Sequence, residues 1–326
     1  MPQTKQKQRS GRIAGALGLM ALAGAAAVTF LAWPRPIMAE PPAVLGATDA
    51  GLAERGAYIA RAAGCVGCHT MEVSAPTAAT AAAPESPVPF AGGREFKTPF
   101  GVFYSPNITS SASAGIGGWS DAQFLTAMRH GVDDVGQPLY PVFPYASYTL
   151  MADDDVLALR AFLRTVPAAE RPNTEHRAMF PLSWRPLLNG WRLLFLKEGP
   201  FRPDPARDAV WNRGAYLVEG LAHCAECHTP RNAFGALDRT HWLAGTRNGP
   251  DGEKVPNLTP DATGLASWSN SDIVTLLKTG AKPDYDNVQG SMAEAIRHGL
   301  SYLTDDDLNA IAAYLKALPP VSNQVR

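Results

Sequence analysis

Four cysteines occur in a chain of 326 residues, and all four fall in two copies of one pattern, CVGCH at 65–69 and CAECH at 224–228. Two thiols three positions apart on a helical turn can each bond to a vinyl group of a porphyrin. The histidine that follows then presents its imidazole to the iron, which is the c-type attachment pattern. Other uses of the thiols leave residues without a role. Disulfides suit an exported protein, yet they do not require His69 and His228 at the same offset. A thioredoxin-like pair wants a strand running into its helix, and none is visible before Cys65 or Cys224. A four-cysteine zinc site strands both histidines. The expectation is two covalently bound haem c groups, attached through Cys65, Cys68, Cys224 and Cys227, with His69 and His228 as iron ligands.

A low-spin haem takes a second strong ligand, often methionine. In the second half Met292 is the only methionine after Met179. In the first half Met71 sits two residues from His69 and cannot reach round the ring, Met128 lies on an amphipathic stretch where packing is its natural role, and Met179 falls in a connector. Met151, in YPVFPYASYTLMADDD, is the expected ligand, with His130 at the end of MRHG as its rival. His130 has a lookalike in His298, and a surface histidine at a helix end would account for both.

These residues sit in a chain that repeats itself. ERGAYIARAAGCVGCHT (54–70) aligns with NRGAYLVEGLAHCAECHT (212–229) if one residue is inserted. PNIT (106–109) matches PNLT (256–259), GWSDAQFLTAMRHG (118–131) matches SWSNSDIVTLLKTG (267–280), and the segments ending DDDVLALRAFLRTVP and DDDLNAIAAYLKALPP also match in order. A tandem duplication of one mainly helical domain follows. Helices are expected over 54–64, from a cap at Ser120, and from Asp153, with repeats from Ser269 or Asn270 and over 305–318. Gly56 and Tyr58, like Gly214 and Tyr216, are placed to pack on the last helix of their unit, where Phe162 and Tyr314 lie. Pro106 and Pro256 are expected to bring a carbonyl to the histidine, and Asn107 and Asn257 to bond within their loops. Trp119 and Trp268 either close a haem edge or fill core. Arg55 and Arg213 either meet a propionate or face solvent.

Residues 1–39 hold Lys5, Lys7, Arg9, Arg12 and Arg35 and no acid, leaving 24 basic against 30 acidic residues elsewhere. No large basic face remains for nucleic acid. The basic run followed by an apolar stretch over 13–33 reads as an export signal, either cleaved near Ala39 or kept as an inner-membrane anchor. Both readings place the remainder in the periplasm. The expected organisation is a signal or anchor at 1–39, a first domain at 50–167, a connector at 168–208 and a second domain at 209–321. Residues 72–91, nearly all Ala, Pro, Ser, Thr and Glu, read as a surface insertion. In the connector, Trp184, Leu188, Trp191, Leu194 and Phe195 are expected to pack across the units.

The segments GIGGWSDAQFLTAMRHGV, LYPVFPYASYTLMADDD and WNRGAYLVEGLAHCAECHTPRNAFGA give the chain, from about residue 50 to 320, a resemblance to diheme c-type cytochromes related to the cytochrome subunits of bacterial alcohol and aldehyde dehydrogenases. That resemblance implies an all-α fold of two class I cytochrome c domains. It implies a periplasmic electron carrier, with a dehydrogenase as donor and a quinone-linked complex, oxidase or soluble cytochrome as acceptor. Relatives often have methionine where this chain has Phe143, which moves the ligand role towards Met151. The longer dehydrogenase subunits carry a third haem unit and a C-terminal anchor, and neither is expected here. The competing reading is an enzyme working at one haem, such as a diheme peroxidase or thiosulfate dehydrogenase. A redox-inactive assembly subunit is the third.

Overall fold

The computed structural model describes residues 49–71 and 88–325, with short pieces at 18, 22–26 and 28–30. Most of the 13–33 stretch, the cleavage point near Ala39 and residues 72–87 of the insertion lie outside the described residues. No helix among the described residues is long and apolar enough to cross a membrane.

The first unit runs α1 (Asp49–Ala62), α2 (Cys65–His69), a hairpin of β1 (Glu95–Thr98) and β2 (Gly101–Tyr104), α3 (Asp121–His130), α4 (Tyr145–Tyr148) and α5 (Asp153–Thr165). The connector holds β3 (Arg177–Ala178) and α6 (Leu188–Phe195). The second unit runs α7 (Ala209–Ala215), a π turn (Tyr216–Leu221), α8 (Ala225–His228), α9 (Asn270–Thr279), α10 (Gly290–His298) and α11 (Asp305–Lys316). The fold is thus mainly helical, as the periodicity required. The small antiparallel sheet β1-β2-β3 is the part that the sequence did not announce.

The local chemistry repeats with the sequence. Ser120 and Gln123 form a capping box on α3, and Ser269 and Asp272 form one on α9. Each of these helices stops at a left-handed glycine, Gly131 or Gly280. In the first unit α1 crosses α5 at Gly56, where a Cβ would lie 1.9 Å from the Ala158 carbonyl oxygen. In the second, α7 crosses α11 at Gly214, where a Cβ would lie 2.0 Å from that of Ala310. The single inserted residue of the second unit is absorbed in the π turn, where the Ala222 N–H reaches back to the Leu217 carbonyl at 2.7 Å.

One apolar core runs through both units, from Ile59 and Leu159 to Leu217 and Ile311. Across it the units exchange a pair of matching contacts. The Tyr58 hydroxyl donates to Asp307, which also accepts from Arg213; the Tyr216 hydroxyl donates to Asp155, which also accepts from Arg55. Both arginines are therefore ion-paired at the last helix of their own unit. Of the connector residues expected to pack across the units, Trp191 does so: its ring meets Tyr145 of the first unit and its Nε1–H donates to the Phe234 carbonyl of the second. Phe195 packs on Phe234 of the second unit, whereas Leu188 is buried against Phe103 and Tyr140 of the first unit and Trp184 is exposed, so neither is shown bridging the units. Leu194 faces solvent at 74 % exposure because it falls on the outer side of α6, so that part of the expectation is corrected.

Candidate functional site

Each cysteine pair lies on or at the cap of a one-turn helix whose histidine is held by a proline carbonyl. His69 Nδ1–H donates to the Pro106 carbonyl at 2.8 Å, and His228 Nδ1–H donates to the Pro256 carbonyl at 2.9 Å. Fixing Nδ1 as the donor leaves the Nε2 lone pair as the acceptor, the form of imidazole that can bind a metal. Burial lowers the pKa of both imidazoles, that of His228 to about 4, and so keeps them neutral.

The proline loops are held in place by residues that the motifs do not single out. The Gly92 N–H donates to the His69 carbonyl and the Gly245 N–H to that of His228, at 2.8 and 2.7 Å. A Cβ on either glycine would strike the proline loop, at 2.5 Å from Pro106 C and 2.7 Å from Pro256 C. The Ala-Gly pair that recurs after each CHT was the available signal. Asn107 and Asn257 behave as expected within their loops, accepting from Thr109 and Thr259 through Oδ1. Their Nδ2 groups also tie the loop to the tail of the unit, at the Ala169 and Val321 carbonyls.

The four thiols are free. Burial pushes Cys65 and Cys224 up to about 12 and Cys227 up to about 11. As they stand they are neutral thiols, the form that adds across a vinyl group to give a thioether. Among the described residues no three His, Cys, Asp or Glu side chains converge as an alternative metal site. The donor set therefore fits a covalently attached haem in each unit.

Met151 is fully buried in the shared core, in the loop before α5. Arg129 grips that loop: its guanidinium donates to the Thr149 carbonyl at 2.9 Å, to the Met151 carbonyl at 2.8 Å and to Asp153. In the second unit Lys278 stands in for it, on the Leu303 carbonyl and Asp305. The repeat makes Leu303 the counterpart of Met151, and Phe143 the counterpart of Met292. Met292 is partly buried on α10. His130 Nδ1 meets Glu198 of the connector at 2.8 Å, and its buried Nε2 has no hydrogen-bond partner. His298 lies against the other unit, 3.8 Å from the Cβ position of Gly67. Trp119 and Trp268 are partly buried against the core, their carbonyls held by Arg160 and Lys316.

Both attachment motifs face the partner unit. Arg94 donates to the Gly67 carbonyl within the first motif and pairs with Glu294 on α10. Reciprocally, the Ser147 hydroxyl of α4 donates to Glu226 within the second motif at 2.7 Å. His223, just before Cys224, has its Nε2 3.2 Å from the Ala63 carbonyl, two residues before Cys65.

The family model for cytochrome c matches residues 53–167 and 212–319. A "Diheme cytochrome c-type" protein of Cereibacter sphaeroides is 41 % identical over 311 residues, covering 94 % of this chain and 97 % of its own. The fructose dehydrogenase cytochrome subunit of Gluconobacter japonicus is 39 % identical over 88 % of this chain and 54 % of its own. A nicotinate dehydrogenase subunit of Pseudomonas putida is 38 % identical over 97 % of this chain but only 25 % of its own. This chain thus spans about half or less of those two dehydrogenase subunits. With both halves matched, the chain belongs to the cytochrome c family, as a tandem pair of class I domains whose role is electron transfer.

Proposed function

We propose that this protein is a periplasmic diheme c-type cytochrome that passes electrons from a dehydrogenase to the respiratory chain. Cys65 and Cys68 with His69 would hold one haem, and Cys224 and Cys227 with His228 the other. The observation that carries the reading is the duplicated histidine clamp: in both units the imidazole beside the cysteine pair is fixed by a proline carbonyl with Nε2 left as acceptor. The group would supply a one-electron couple, tuned by its second ligand and its burial. Met151 and Met292 are proposed for that position. The relatives that are dehydrogenase subunits favour a dehydrogenase as the donor. A quinone-linked complex, an oxidase or a soluble cytochrome fits as the acceptor, with a membrane contact available if the 13–33 stretch is retained.

Intact mass and haem absorption of the mature protein, made in a host competent in cytochrome maturation, test this. Two porphyrin increments are expected. Met151→Ala and Met292→Ala should each abolish the methionine-to-iron absorption of one haem and leave the other unchanged. A first haem indifferent to Met151→Ala but altered by His130→Ala would assign the ligand to His130. A native five-coordinate haem would favour the enzymatic reading, and the absence of porphyrin mass would end the proposal.

A further inference from the structure

The two copies differ at the residue that immediately precedes each cysteine pair. The residue before the first cysteine has a left-handed backbone in both units: Gly64 with φ +65° and His223 with φ +40°. Glycine adopts this conformation freely, whereas a β-carbon makes it costly. The second unit nevertheless carries histidine there, and the π turn from Tyr216 to Leu221 leads directly into it. A strained side chain following a π turn marks a place where the side chain has a use.

Its contacts indicate the use. Among the described residues, the His223 Nε2–H donates across the unit boundary to the Ala63 carbonyl at 3.2 Å. The Tyr148 hydroxyl donates to the same oxygen at 2.8 Å, and the Tyr148 ring stands edge-on to the imidazole at 5.4 Å. A Cβ on Gly64 would lie 4.0 Å from the same Nε2. His223 is bonded to Cys224, and Ala63 is joined through Gly64 to Cys65. A single hydrogen bond therefore links the backbone of one attachment motif to that of the other.

Resting on the diheme reading above, we infer that His223 is the bridging residue of the internal relay, its hydrogen bond to Ala63 coupling the two attachment motifs for electron exchange between the units. The exchange balances without further reagents. One centre loses an electron as the other gains it, no bond is made or broken, and the proton stays on Nε2.

The test uses the mature, haem-loaded protein with His223→Gly, His223→Ala and His223→Gln. Thermal midpoints report structure, and two-dimensional exchange NMR of the half-reduced protein reports electron exchange between units. Glycine loses the hydrogen bond but sheds the strain, so His223→Gly is expected to melt within about 3 °C of the parent. Its exchange is expected to slow about tenfold. His223→Ala keeps the strain and loses the bond, so it should melt lower and exchange as slowly. His223→Gln retains an N–H donor and should recover part of the rate. Exchange at the parental rate in His223→Gly, or rates that follow melting temperature across the series, would overturn the inference. A parent protein without two porphyrins would overturn the diheme reading itself.

Discussion

At the scale of single residues, Arg129 shows how much the Met151 loop depends on a side chain that grips its main chain. Its side chain is 8 % exposed and satisfies two backbone carbonyls and Asp153 at once. Removing one partner of such a buried arrangement leaves the rest uncompensated, so Arg129→Ala should cost about 3 kcal/mol in urea denaturation. The second unit uses lysine at the equivalent place. Arg129→Lys should therefore keep part of that stability, and full retention in Arg129→Ala would refute the role. The contrast with the cysteines explains what could be read in advance. The proposed porphyrin attachment would dictate residue types and spacing, so Cys65 to His69 and Cys224 to His228 stood out. Arg129, Gly92 and Gly245 act on main-chain carbonyls that any residue provides, so their roles show in the sequence only as weak echoes of the repeat, such as the Ala-Gly pair after each CHT.

At the scale of elements, the two glycine crossings define each unit. Gly56→Ala would place a methyl group 1.9 Å from the Ala158 carbonyl oxygen, and Gly214→Ala one 2.0 Å from that of Ala310. Alanine favours a helix by about 1 kcal/mol over glycine, but overpacking of this severity costs about 1–3 kcal/mol or more. Both variants should lower the denaturation midpoint, and by similar amounts, because the crossings match. A stabilised variant would show that the helices can separate without loss. The long helices were legible because their apolar faces recur at helical spacing. The sheet was not, because its longest strands have four residues and alternate too briefly to register. The inserted residue of the second unit was visible in the alignment. Only the backbone shows that a π turn absorbs it just ahead of the left-handed His223.

At the scale of the whole molecule, the reciprocal Tyr58–Asp307 and Tyr216–Asp155 contacts join the two halves. The tyrosines were expected to pack on the last helix of their own unit. Their hydroxyls instead reach the other unit, a distinction a tandem repeat conceals because both copies offer the same aspartate at the same helix start. The Asp307 contact makes domain cohesion sensitive to acid. Burial alone pushes the Asp307 carboxyl up, but the hydrogen bonds from Arg213 and Tyr58 outweigh it and hold the pKa below the usual aspartate value. A depressed native pKa adds stability that is fully present above the unfolded value of about 3.9 and disappears as pH falls through the native one. With Arg213 partly exposed, the contribution should be about 1–2 kcal/mol at neutral pH. Asp307→Asn should lose it at pH 7 and show a shallower fall in unfolding free energy below about pH 4. Tyr58→Phe should lie between Asp307→Asn and the parent, since Arg213 still donates. Identical acid slopes in the parent and Asp307→Asn would show that the halves are held by the shared apolar core alone, with the polar contacts setting only their register.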